Sequence, residues 1–136
     1  MYKEIYPHIF LLEIPLRNNP LKALNCYIIK GEESLVIDTG FDTEENRDIL
    51  LGALKDLSID PKKTSLFLTH LHSDHTGLAA YLAEEGVKVY MGAIDGKILM
   101  ESAHEDSPHW MKIKRLAELQ GLAPDHLNIQ DHPGFR

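Results

Sequence analysis

Thr69-His70-Leu71-His72-Ser73-Asp74-His75-Thr76-Gly77 closes the short apolar run of residues 65–69 and opens a helical pattern. A run of that length and character reads as a buried strand, so the histidines stand where a strand ends and a helix begins. Open α/β sheets collect their ligands at such places. Residues two apart on an extended chain point the same way, so His70 and His72 aim both imidazoles at one point. Leu71 faces the other side and can anchor the loop in apolar packing. As the chain turns toward the helix, Asp74 and His75 swing round to a second point nearby. Imidazole nitrogen with carboxylate oxygen suits zinc, at ligand distances of about 2.0–2.2 Å. Two such ions can stand about 3.5–4 Å apart. The chain has 8 His among 136 residues. At that frequency H-x-H-x-D-H arises by composition in roughly two chains per thousand. A polar loop without metal is therefore the weaker reading.

Upstream, residues 5–14 are rich in β-branched and aromatic side chains and read as one strand, with Pro7 marking an edge because proline cannot donate to a ladder. Residues 25–30 and 34–38 are two apolar runs around Gly31-Glu32-Glu33, a hairpin. Both are apolar on consecutive positions, which predicts strands covered on both faces. After Asp38-Thr39-Gly40 the period becomes helical: Ile49, Leu50, Ala53, Leu54 and Leu57 share one face. Asp42 followed by Glu45 has capping-box spacing and starts that helix near Thr43. Downstream, residues 77–85 read as a helix ended by Gly86, and residues 87–91 as a strand. Residues 94–100 and 109–120 read as two more helices around a polar turn, and the tail from Asp131 as irregular. The fold class is α/β, a mixed sheet with flanking helices. Residues 1–92 form a β-rich unit carrying the motif, and residues 93–136 a helical insertion and tail.

Composition narrows the function. The chain carries 14 Lys plus Arg against 21 Asp plus Glu, a formal charge of −7. Binding nucleic acid needs clustered cations to neutralise phosphates, so that partner is disfavoured. Cys26 is the sole cysteine. It allows no internal disulfide, lies in an apolar run, and fits a reducing compartment. With no signal-peptide pattern and no stretch long enough to span a membrane, a cytoplasmic protein is expected.

The run from His70 to His75 resembles the H-x-H-x-D-H signature of the metallo-β-lactamase fold superfamily. Residues 35–40, Leu-Val-Ile-Asp-Thr-Gly, are similar to that family's strand and Asp-Thr-Gly turn before the first helix. The likeness covers about residues 5–91 in matching order. It implies half of a four-layer αββα sandwich. It also implies a hydrolase in which a metal-activated hydroxide attacks an ester, thioester, lactone or amide. His70 and His72 would hold a first zinc, and Asp74 and His75 a second. Asp74 would also orient the hydroxide catalytically, and Asp38 would brace the site from behind. Two departures stand out. The family's usual second glycine after Gly77 is Leu78 here. The sequence also stops before the family's remaining metal ligands, a further histidine, a bridging aspartate and a last histidine.

From that shortfall the resemblance implies up to two Zn²⁺ in a complete domain and partial or absent occupancy in this single, incomplete one. It also leaves one sheet face uncovered, to be met by a second copy in a homodimer or by a missing C-terminal half. His8, His104, His109, His126 and His132 offer no obvious substitute ligands, and the adjacent pair Asp131-His132 is not taken as a site. The rival reading is a non-catalytic metal- or partner-binding protein of the same fold. An iron-dependent oxygen-reducing relative is disfavoured, because such proteins carry a carboxylate where this chain has His72. A small-molecule substrate is expected. Lactam, lactone, thioester and phosphodiester all fit the motif, with Trp110, Met100, Met111 and Tyr90 as candidate apolar wall residues that could equally be core.

Overall fold

The computed structural model describes residues 2–102 and 108–121. Six strands form one sheet in chain order: β1 (Tyr2–Tyr6), β2 (Ile9–Pro15), β3 (Ala23–Ile29), β4 (Ser34–Ile37), β5 (Thr64–Leu68) and β6 (Lys88–Met91). The first four pair antiparallel with their neighbours, and β4, β5 and β6 run parallel. Parallel neighbours need crossovers. Helix α1 (Glu44–Asp56) makes the first, and α2 (Ser73–Thr76) with α3 (Ala79–Glu84) makes the second. Helices α4 (Ala93–Ser102) and α5 (Pro108–Leu119) follow β6 and pack on each other.

Four local expectations are corrected. Residues 5–14 are not one strand: the chain reverses at Pro7-His8, with His8 at φ 65°, and β1 pairs with β2 as a hairpin. Pro7, which has no N–H to give a ladder, sits in that turn. Strands β3 and β4 are not covered on both faces, because burial alternates residue by residue. The cap of α1 is Thr43, whose hydroxyl accepts from the Asn46 N–H, while Asp42 pairs with Arg47 at 2.6 Å. The helix expected over residues 77–85 begins earlier, at Ser73, and breaks at Leu78, where φ −91° and ψ 6° leave the helical region.

The alternation decides where the core sits. Leu12, Cys26, Ile28, Val36, Leu66 and Leu68 project to one face, where Leu50, Ala53 and Leu54 of α1 and Leu82 of α3 cover them. Each fully buried leucine contributes about 1.5–3 kcal/mol of transfer free energy. On the other face Leu11, Tyr27, Ile37, Phe67 and Tyr90 lie in register across five strands. That apolar row is partly or fully open to water, with Phe67 43% exposed. Among the described residues no helix is long and apolar enough to cross a membrane.

Cys26 is in the core at 0% exposure. Its thiol is pushed up to about 12, first by burial and then by the nearby Asp38 charge. The thiolate is the reactive form. We expect the folded protein to resist iodoacetamide at pH 8 and to be labelled only after denaturation, as mass spectrometry reads directly. Stoichiometric labelling of the folded chain would contradict this placement.

Candidate metal centre

Parallel strands β4 and β5 end side by side, so Asp38 and Thr69, the residues just past them, meet at one edge of the sheet. Asp38 takes φ 59°, a left-handed conformation that aspartate tolerates better than most residues. Gly40 follows at φ +100°, and a Cβ there would stand 2.4 Å from Ile14 Cγ2. The turn therefore needs glycine for both conformation and space. It delivers the buried Asp38 side chain beneath the histidine segment.

Two hydrogen-bonded threonines hold the segment in place. The backbone N–H of Thr39 and its hydroxyl both donate to the His75 carbonyl, at 3.0 and 2.9 Å. The same hydroxyl accepts from the Leu78 N–H at 3.1 Å. Thr69 gives its backbone N–H to Asp38 Oδ1 at 2.9 Å, and its Oγ1 lies 2.8 Å from Asp38 Oδ2. His75 Nδ1 meets the same Oδ2 at 2.8 Å. Asp38 thus meets Thr69 and His75 with its two carboxylate oxygens. Thr39 and Thr69 went unread in the sequence, although a threonine closing a buried strand beside a histidine is the one available signal.

The four candidate ligands come together at this edge. His70 Nε2 and His72 Nδ1 are 2.9 Å apart. The His70 and His75 rings approach to 4.0 Å between centroids, and His75 Nε2 lies 3.6 Å from Asp74 Oδ2. His72 is exposed and the other three are partly buried, so the cluster opens to solvent. Burial, followed by the charges of His75 and His72, lowers the His70 pKa against the opposing pull of Asp38 and Asp74. That favours the neutral imidazole, which is the form that binds metal.

The donor set fits a zinc-class ion chemically, nitrogen with carboxylate oxygen. Among the described residues, however, no group of three or more such side chains is arranged to hold one ion. The close approaches between ligand-type atoms are pairwise, His70 Nε2 with His72 Nδ1 and His75 Nε2 with Asp74 Oδ2. A catalytic zinc takes three protein ligands, so each pair falls short of a full set.

Of the candidate wall residues, Met100, Met111 and Tyr90 are 79%, 62% and 54% exposed and so are not core. His8 is exposed in the β1–β2 turn, where its backbone N–H donates to Glu4. The Trp110 and His109 side chains, and His104, His126, Asp131 and His132, lie outside the described residues.

Comparison with known proteins identifies the family and the fold. Residues 20–125 match the family model described as the Metallo-beta-lactamase superfamily. Over 63 residues the chain is 44% identical to an atrochrysone carboxyl ACP thioesterase of Emericella nidulans, covering 46% of this chain and 20% of that protein. The crystal structure of a metallo-beta-lactamase family protein from Thermus thermophilus superposes with a TM-score of 0.71 at 25% identity, over 88% of this chain and 40% of that one. The rubredoxin oxygen:oxidoreductase of Desulfovibrio gigas superposes at 0.61 with 26% identity, over 75% and 28%. The chain thus spans less than half the length of each.

Proposed function

Because the chain belongs to the metallo-beta-lactamase superfamily, we propose that it is a zinc-dependent hydrolase acting on an acyl thioester or a related ester, lactone or amide. The observation that carries this reading is the approach of His70 Nε2 and His72 Nδ1 to 2.9 Å, beside the Asp74 and His75 pair, at the mouth of two parallel strands. In this reading His70 and His72 hold one ion, and Asp74 and His75 a second. Zinc bound there supplies Lewis acidity and a water made nucleophilic at neutral pH. The chain's own groups do the positioning. Asp38 steadies His75 directly, Thr39 pins the turn, and the Asp74 carboxylate orients and takes a proton from the attacking water. A thioester substrate is favoured by the thioesterase likeness. A reducing, cytoplasmic setting belongs to the same proposal, supported by a single buried thiol.

The full ligand set belongs to the proposal as well. Each pair needs a third donor, and the relatives matched exceed this chain in length. That extra length can supply the donors and cover the row from Leu11 to Tyr90; a second copy of this chain is the other candidate cover. The shortfall also sustains a second reading, a non-catalytic metal- or partner-binding protein of the same fold.

The test is hydrolysis of acyl-pantetheine thioesters, simple esters, lactones and a chromogenic lactam by zinc-loaded protein, with metal content measured in parallel. We expect thiol release that a chelator abolishes and added zinc restores. Chelator-resistant turnover, or a zinc-loaded protein that hydrolyses none of these, would overturn the hydrolase reading. Turnover confined to the lactam would overturn the thioester assignment.

A further inference from the structure

We propose that Thr69 is a positioning residue. Together with Asp38, it fixes His70 and His75 in the Nδ1–H tautomer before any metal arrives and leaves His72 as the histidine that must change. The tautomers follow from counting protons. A hydroxyl carries one hydrogen, and an ionised carboxylate only accepts. Thr69 Oγ1 lies 2.8 Å from Asp38 Oδ2 and 3.0 Å from His70 Nδ1. If its hydrogen pointed at His70, two oxygens would face each other at 2.8 Å with no proton between them. The hydrogen therefore goes to Asp38. The contact to His70 must then run the other way, with Nδ1–H donating to Thr69 Oγ1. The same count applies to His75. Its Nδ1 is 2.8 Å from Asp38 Oδ2, an arrangement that is attractive only with the hydrogen on Nδ1. One carboxylate thus places the hydrogen on Nδ1 of two histidines, directly on His75 and through a hydroxyl on His70.

His72 has the opposite assignment. With a lone pair on His70 Nε2, the 2.9 Å contact needs a hydrogen from His72 Nδ1. Binding one ion between these two nitrogens requires both lone pairs, so His72 must move its hydrogen to Nε2. Such outer hydrogen bonds orient the ligand ring and set its tautomer. The tautomers of the metal-free protein rest on hydrogen bonds alone, whereas their use toward zinc rests on the function proposed above.

The experiment is ¹⁵N–¹H correlation of the imidazole rings in the labelled, metal-free chain at pH 8, repeated with zinc. We expect Nδ1–H on His70, His75 and His72 without metal, and on zinc addition a transfer of the hydrogen from Nδ1 to Nε2 at His72 alone, His70 and His75 keeping Nδ1–H. In T69V, His70 should pass to a tautomer mixture while His75 keeps Nδ1–H, and zinc affinity should fall about tenfold. T69S keeps the hydroxyl and should restore both readouts. D38N should release both histidines. Nε2–H on His70 in the unaltered protein overturns the proposal without any variant, so a misfolded T69V does not shelter it. Persistence of Nδ1–H on His70 in a folded T69V also overturns it, as does a folded T69S that behaves like T69V. If the tautomers are as expected but zinc does not bind, the use of this frame toward zinc fails and the hydrogen-bond relay stands.

Discussion

Asp74→Asn is expected to lower hydrolysis by roughly 10²–10⁴-fold, the range of a positioned acid–base group, with a much smaller fall in zinc per chain. The amide has nearly the shape of the carboxylate and keeps one oxygen able to contact an ion. It cannot accept a proton, and its NH₂ presents hydrogen where the attacking water needs an acceptor. Asp74 is partly buried, with Oδ2 3.6 Å from His75 Nε2, so in the proposed reading it borders the reacting volume. Initial rates on a thioester and elemental analysis of the same sample check the expectation. Equal losses of turnover and zinc would reduce Asp74 to a ligand.

The second large effect is structural. Gly77→Ala places a Cβ 2.6 Å from the Asp42 nitrogen, 2.6 Å from the Gly40 oxygen and 2.9 Å from the Phe41 carbonyl carbon. All three are backbone atoms, so no side-chain rotamer can relieve the clash. Nor can the two segments part easily, because Thr39 ties the Gly40 turn to His75 and Leu78. We expect a loss of about 3 kcal/mol, the upper part of the usual range for overpacking. The metal segment should be displaced with it, weakening zinc binding. The matched control is Gly52→Ala in α1, where a Cβ would meet nothing within 4 Å. There alanine should add about 0.5–1 kcal/mol by lowering the cost of ordering the helix. Denaturant melts of both variants measure the contrast. A Gly77→Ala protein as stable as the original would refute the close packing of these two turns.

The clustering of the histidine segment was legible because its signal is local. Two histidines in alternation share a side of an extended chain whatever surrounds them, and four ligand-type residues within six positions rarely coincide by chance. The strand before it and the face of α1 were legible for the same reason, since each is a periodicity within one element. The hairpin at Pro7-His8 was missed because apolar residues continue through it, and the reversal rests on the positive φ of His8, which residue type does not reveal. The expected cover on both faces of β3 and β4 failed differently. Consecutive apolar residues look the same whether a second layer is present or not, and among the described residues α1 and α3 cover the face that is buried while the alternate positions stay partly open.

Sequence alone determined the candidate ligands, the strand-to-helix junction that carries them and the α/β class, because these depend on spacing within a few residues. Tertiary structure alone decided that Asp38, Thr39 and Thr69, from segments some thirty residues apart, form one hydrogen-bonded frame around the histidines. It did so because parallel pairing of β4 with β5 brings two strand ends together, and no local pattern encodes which distant strand will be the neighbour.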